Sequence, residues 1–139
     1  MLPESRIEEF LRVASVSGFR ILPVAPGRWP TLLHTKTDVR VDILPERGTP
    51  GTASKPAPTT IPHPAKMGEF GPVLRYIQLP SLIELKLASS RGQDEADVIK
   101  LVAVNPNDVD SVRQHLSQVH ASYVTAFDRL VQRAREEDE

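Results

Sequence analysis

Hydrophobic residues recur at helical spacing near the N-terminus. A helix is predicted to begin at Ser5 and to end at about Ser17, because Gly18 readily takes the left-handed conformation that terminates helices. Ser5 and Glu8 have the spacing of a capping box. The i, i+3, i+4, i+7 pattern predicts one buried stripe, formed by Ile7, Phe10, Leu11 and Ala14.

Alternating hydrophobic and polar residues then predict strands. Residues 19–22 form a short extended piece, 31–35 a short strand and 39–44 the clearest strand, in which Val39, Val41 and Ile43 share one face. The turn-forming residues 36–38 predict that the last two strands are a hairpin. A further alternating stretch, 73–79, predicts another strand.

A proline-rich segment separates these strands. Residues 45–72 hold seven of the 13 prolines and follow neither the helical nor the strand period, so they predict a long loop. Two interpretations are open for this loop. It is either a mobile connector or a cover over a site or a partner surface.

The rest of the chain predicts helices. Ser81 and Glu84 form a second capping-box pattern before a leucine-rich run, and the Gln93–Asp94 pair begins the next helix, which Asn105–Pro106 ends. Asn107 or Asp108 caps another helix, and a break near 120–122 precedes the last one. The core-facing positions are Val98, Leu101, Val102, Val109, Val112, Leu116, Val119, Tyr123, Phe127, Leu130, Val131 and Ala134.

These elements predict an α+β fold with a small, mostly antiparallel sheet, an N-terminal helix and a C-terminal helical region. At 139 residues the chain is expected to form a single domain. Its segments are 5–44 (helix and hairpin), 45–72 (proline-rich loop), 73–104 (strand and two helices) and 107–137 (C-terminal helices).

Composition narrows the classes of function. The net charge is −1 and aromatic residues make up 5% of the chain, which argues against nucleic acid as a partner. No cysteine is present, so disulfides and thiolate metal sites are excluded and a cytoplasmic location is expected. No apolar run approaches the ~20 residues that span a bilayer, so no membrane association is expected.

Asp42 is the first candidate for chemistry. It lies on a predicted strand, where a carboxylate has a fixed direction and could bind Mg²⁺ at the rim of a sheet. An ion pair with Arg40 is the alternative. Phosphoryl and nucleotidyl transfer need two or three carboxylates that converge on the metal. Asp38 and the Asp108–Asp110 pair are the others available, and the pair lies at a helix start, where capping alone explains it.

Lys86, Arg91, Asp94 and Asp97 form the second candidate set. In one interpretation these residues are salt bridges at a helix start, with Arg91 bound to an aspartate. In the other, Lys86 and Arg91 bind a nucleotide phosphate and the two aspartates orient them. Their spacing does not separate the two interpretations.

Asp42 followed by Glu84 and Lys86 also fits the D…ExK pattern of a nuclease. That chemistry needs Glu84 and Lys86 on a strand, where a spacing of two puts both side chains on one face. On a helix they would point about 200° apart. The capping-box pattern at Ser81 and the leucine spacing favour a helix.

The run LPSLIELKLA at 79–88, followed by Arg91 and by DEADV at 94–98, resembles a segment of nucleotidyltransferase-like proteins of the AbiEii/AbiGii toxin family. The order of the earlier elements, from about Ile7, is similar as well. The resemblance implies a polymerase-beta-like nucleotidyltransferase fold. It also implies that Asp42 is the third catalytic carboxylate and that residues 86–97 carry the later nucleotide-facing motif.

The chain departs from this family at its start. The family's active site begins with a Gly-Ser helix start and a strand-borne Asp-x-Asp pair, and neither occurs here, so Mg²⁺ would have one ligand of three. We therefore expect a protein that lacks the N-terminal catalytic half and has no transfer activity alone. It would act as an interaction or regulatory subunit in a toxin–antitoxin setting.

The alternative is a Mg²⁺-dependent enzyme that a partner chain completes with the two missing motifs. In either case the missing strands would leave an open sheet edge. We expect a second copy of the chain or another partner chain to cover that edge.

Overall fold

The computed structural model describes residues 1–24, 30–70 and 75–137. These residues form an α+β structure, which confirms the predicted fold class. The chain divides into two compact units, one of residues Met1–Gly48 and Ile61–Lys66 and the other of Thr49–Thr60 and Met67–Glu139. The single domain stays a prediction.

The first unit packs one helix on a three-stranded sheet. A 3₁₀ turn at Glu4–Arg6 leads into α1 (Ile7–Val16), and the strands are β1 (Phe19–Ile21), β2 (Thr31–His34) and β3 (Arg40–Asp42). The strand order in the sheet is β1-β2-β3, and both neighbouring pairs are antiparallel. A second 3₁₀ turn, at Pro64–Lys66, also belongs to this unit. The buried core consists of Ala14, Leu32 and Ile43, with Leu2, Leu11 and Phe19 packed against it.

The end of α1 is as predicted but its start is not. Gly18 has φ +87 and follows the helix C-cap residue Ser17, as expected for a helix stop. The capping box predicted at Ser5 is wrong, because Ser5 lies in the 3₁₀ turn and the N-cap residue Arg6 makes no side-chain cap bond. The buried stripe is narrower than expected, since Phe10 remains 37% exposed.

The predicted hairpin is confirmed as β2 and β3, although β3 is shorter than the alternating stretch. Val41 pairs with Leu32, which in turn pairs with Ile21. Directly opposed residues share one face of a sheet, yet Leu32 is buried whereas Val41 and Ile21 are about two-fifths exposed at 37% and 42%. Both outer strands therefore present partly exposed hydrophobic side chains.

The second unit is built around four helices. A two-stranded antiparallel ribbon, β4 (Gly68–Phe70) and β5 (Arg75–Ile77), precedes α2 (Leu79–Ser89) and α3 (Gly92–Val104). A 3₁₀ turn at Pro106–Asp108 leads into α4 (Val109–Val119) and α5 (Ala121–Glu137). The buried core of this unit is Ile83, Leu87, Ala88, Val98, Ile99, Val102, Val109, Val112, Leu116, Tyr123, Phe127, Leu130, Val131 and Ala134.

The four helices of this unit are confirmed, but the predicted caps are not. α2 begins at Leu79 with Gln78 as its N-cap, so Ser81 lies inside the first turn and makes no cap bond. Pro80 accounts for this earlier start, since proline fits the first helical turn, where backbone N–H groups have no helical acceptor. Asp108 likewise precedes α4 without a side-chain cap.

The long loop predicted at 45–72 is partly wrong. Its end forms β4, which pairs with β5, and residues 71–74 of the predicted loop and strand lie outside the described residues. Residues 49–60 form a compact turn with reciprocal backbone bonds between Thr52 and Lys55, both 3.1 Å. Ala57 packs against the helical core, and the Thr59 hydroxyl lies 2.7 Å from the Tyr123 hydroxyl.

In the described parts of the chain, no helix has the length and hydrophobicity needed to cross a membrane.

Candidate functional site

A sharp turn between α2 and α3 creates the charged cluster. α2 ends at Ser89, and its C-cap residue Ser90 has a left-handed φ of 56 that reverses the chain. α3 begins two residues after Ser90, at Gly92. Lys86 in the last turn of α2 therefore lies beside the first two turns of α3, which carry Asp94 and Asp97. The helical hairpin brings these side chains together.

The cluster is a continuous network of short hydrogen bonds. Lys86 Nζ donates to Asp94 Oδ1 at 3.0 Å and to Asp97 Oδ2 at 2.7 Å. Arg91 binds Asp94 with two nitrogens, Nε to Oδ2 at 2.7 Å and Nη2 to Oδ1 at 3.3 Å. Gln93 Nε2 donates to Asp97 Oδ1 at 2.9 Å. All four predicted residues of this set thus belong to one network, through the pairs Lys86–Asp94, Lys86–Asp97 and Arg91–Asp94.

Asp94 is the electrostatic centre of the network, with a side chain that is 1% exposed. Burial alone would raise its pKa, but hydrogen bonds from Arg91 and Lys86 outweigh burial and lower the pKa to about 2. Burial opposes the charge on Lys86, yet its bonds to Asp97 and Asp94 raise its pKa. Bonds from Lys86 and Gln93 lower the pKa of Asp97. The network is therefore fully ionised near neutral pH.

A shallow groove follows the seam between the two helices. It is lined by Leu82 and Lys86 from α2 and by Asp97, Lys100 and Leu101 from α3. Its volume is about 290 Å³ and it is open to solvent. The charged cluster therefore borders a groove whose accessible lining is mainly hydrophobic.

Asp42 lies in the first unit, at the end of β3, whereas the charged cluster belongs to the second. It is exposed and pairs across the sheet with Thr31, whose hydroxyl donates to Asp42 Oδ1 at 2.8 Å. Within the described ranges, no three histidine, cysteine, aspartate or glutamate side chains could together hold a metal ion. Asp42 alone does not meet the requirement of a two-metal transfer site.

Glu84 and Lys86 both lie on α2, so the nuclease hypothesis does not meet its own condition of a strand. Their side chains also serve different contacts. Glu84 binds His115 of α4, whereas Lys86 binds the aspartates of α3. The structure therefore gives the D…ExK nuclease interpretation no support.

Two partly buried polar contacts were not anticipated from the sequence, Glu84–His115 and Thr59–Tyr123. Glu84 is 4% exposed and its Oε2 lies 2.7 Å from His115 Nε2. Near this pair, burial raises the pKa of Tyr123, the Glu84 carboxylate raises it further, and the bond to Thr59 opposes both. The one signal in the sequence was an acidic residue within a run of leucines. Its partner, 31 residues away, had no local signature.

Comparison with known proteins yields no match to a family model, a curated protein or a solved structure. The relationship to the AbiEii/AbiGii family therefore rests on the residues quoted above and stays a prediction.

Proposed function

We propose that this chain is a nucleotidyltransferase-like protein without independent transfer activity, and that it acts as an interaction or regulatory subunit. The proposal rests on the hydrogen bonds within the charged cluster, which already occupy its cations. Both cations that would face a nucleotide phosphate, Lys86 and Arg91, donate hydrogen bonds to Asp94, and Lys86 also to Asp97. A phosphate would compete with these carboxylates, so the contacts favour a structural role in the α2–α3 hairpin.

The resemblance at residues 79–98 supports a toxin–antitoxin setting for this subunit, and the absence of cysteine fits a cytoplasmic location. It also implies Mg²⁺ as the family's cofactor, which would supply charge stabilisation for nucleotidyl transfer. Asp42 would contribute one carboxylate to that ion. Since transfer requires two or three, the isolated chain is expected to be inactive.

The test is to incubate the isolated chain with Mg²⁺ and each radiolabelled nucleoside triphosphate, with RNA and protein acceptors present. We expect no label to be transferred and no heat of nucleotide binding in calorimetry. Transfer that is lost in Asp42→Asn but kept in Asp38→Asn would overturn the proposal. Asp38 is a matched control because it is also an exposed aspartate of the first unit.

A second function is a Mg²⁺-dependent nucleotidyltransferase that a partner chain completes with the Gly-Ser and Asp-x-Asp motifs. The position of Asp42 favours this alternative, because it is exposed at the end of an outer strand of the sheet. Here Lys86 and Arg91 would bind the nucleotide. Transfer by a mixture of the two chains, abolished by Asp42→Asn, would support it over the first proposal.

In both proposals the partner is a second copy of this chain or another chain that covers the sheet edge. Among the described strands, β1 and β3 each pair with β2 only. Such edges, flanked by the half-exposed Ile21 and Val41, favour pairing with another chain. Light scattering should show a dimer or a complex. A stable monomer at micromolar concentration would exclude the homodimer.

A further inference from the structure

The groove between α2 and α3 is lined by charged residues at one end and by leucines at the other, and most of its accessible lining is apolar. Leu82 and Lys86 are one turn apart on α2, and Asp97 and Leu101 are one turn apart on α3. The chain reverses between α2 and α3, and Lys86 contacts Asp97 near that reversal. Leu82 and Leu101 are each one turn further from the reversal, so both lie at the other end of the groove. Lys100 borders the groove from α3.

The uncompensated charge of this groove is positive. Asp97 is already bonded to Lys86, whereas Lys100 is exposed and, among the described residues, has no carboxylate within salt-bridge distance. Lys86 uses two of its three N–H donors on the aspartates, and the described residues offer no acceptor to the third. A ligand that fits the groove should therefore carry a carboxylate beside an apolar group.

The shape of the groove favours a peptide over a small molecule. Small-molecule sites enclose most of their ligand, whereas this groove is shallow and open along two helices. Nucleic acid binding would need several phosphate-contacting cations, but the groove has two lysines and an aspartate in a chain of net charge −1. An extended peptide can place alternate side chains over a surface of this kind.

We propose that the groove docks an acidic peptide segment of a partner protein. One carboxylate of the segment pairs with Lys100, and a neighbouring aliphatic side chain covers Leu82 and Leu101. This inference rests on the proposed interaction role and specifies the chemistry of the partner.

The test is a titration of the ¹⁵N-labelled chain with a synthetic peptide of alternating glutamate and leucine, followed by amide chemical shifts. We expect shift changes at residues 82–86 and 97–101, and none with a matched peptide that has lysine in place of glutamate. Lys100→Glu should weaken binding about tenfold, since it turns an attraction into a repulsion. Lys36→Glu, at an exposed turn of the first unit, should leave affinity unchanged.

Three results would each overturn the inference: no shift changes in the groove at millimolar peptide, equal binding of the lysine peptide, or wild-type affinity in Lys100→Glu. These results leave the proposed function standing if the chain still forms a complex in light scattering. Conversely, nucleotidyl transfer by the isolated chain would overturn the proposed function without changing the peptide titration.

Discussion

Replacing Asp94 by asparagine should destabilise the helical unit by an amount that depends on pH. The substitution keeps the shape of the side chain but removes the charge that accepts bonds from Lys86 and Arg91. An ordinary aspartate pKa is 3.8, whereas that of Asp94 is about 2. Since each pKa unit corresponds to about 1.36 kcal/mol, the ionised carboxylate contributes about 2 kcal/mol to folding at neutral pH.

The sign of the pH dependence follows from the lowered pKa. The folded state holds the Asp94 carboxylate ionised more strongly than the unfolded state does, so this stabilisation is complete above about pH 4. It is lost as the pH falls from about 4 towards 2, where Asp94 becomes protonated in the folded state too. The difference in unfolding free energy between wild type and Asp94→Asn should therefore shrink from about 2 kcal/mol to near zero over that range.

Urea denaturation followed by circular dichroism at 222 nm, at pH 7, 4, 3 and 2, measures this difference. Asp110→Asn is the matched control, since Asp110 also pairs with an arginine three residues away but its side chain is 96% exposed. That control should change the unfolding free energy by no more than about 0.5 kcal/mol at any pH. A loss at Asp94 as small as in the control, or one independent of pH, would refute the electrostatic reasoning.

Three further substitutions test two side-chain contacts and one backbone conformation elsewhere in the chain. His115→Ala should cost about 1–3 kcal/mol in urea denaturation, because it leaves the buried Glu84 carboxylate without its partner. Tyr123→Phe should cost about 1 kcal/mol and speed proteolytic cleavage within residues 49–60, because the hydroxyl that binds Thr59 is lost. Gly18→Ala should cost about 1 kcal/mol through its left-handed backbone alone, since a Cβ there meets atoms no closer than 3.7 Å.

Each of these substitutions has a control with a different expected result. His115→Gln keeps a hydrogen-bond donor near Glu84 and should recover part of the loss. Tyr76→Phe removes a hydroxyl from a residue that is 79% exposed and should not change cleavage. Gly92→Ala lies at the start of α3 with nothing within 4 Å of a Cβ, so it should not destabilise the chain. An equal loss in a control and its test variant would contradict the proposed contact or, for Gly18, the proposed backbone strain.

The helical half of the fold was predictable because its hydrophobic periodicity coincides with its burial. All five predicted core positions of the last helix are buried in α5, from Tyr123 to Ala134. The caps were not predictable, because the same serine–glutamate spacing arises inside a helix. At Ser81 and Glu84 the tertiary packing decided the outcome: Ser81 is buried, and Glu84 turns to His115 instead of its own helix start.

The strands were less predictable from the sequence than the helices. β4 has three residues and follows a proline-rich stretch, so no alternation is visible, and its pairing with β5 is what makes it a strand. In the predicted strand 39–44, which contains β3, the alternation comes from Val39, Val41 and Ile43, but only Ile43 is buried. The pattern marks which side chains share a face and does not say whether anything covers that face.

The four members of the charged cluster were predictable from the sequence, whereas their contacts with one another are seen only in the structure. The spacing of Lys86 from the two aspartates was compatible with both interpretations. A lysine on the helix before the aspartates can bind either their carboxylates or a nucleotide phosphate. Asp94 favours the structural interpretation, because it is 1% exposed and holds its charge through bonds from both cations. If a phosphate displaced these bonds, a buried carboxylate would lose its partners at a cost of several kcal/mol. That cost favours a cluster that fixes the α2–α3 hairpin. Lys100 is exposed and lines the groove, so the proposed partner could bind this cation without disturbing Asp94.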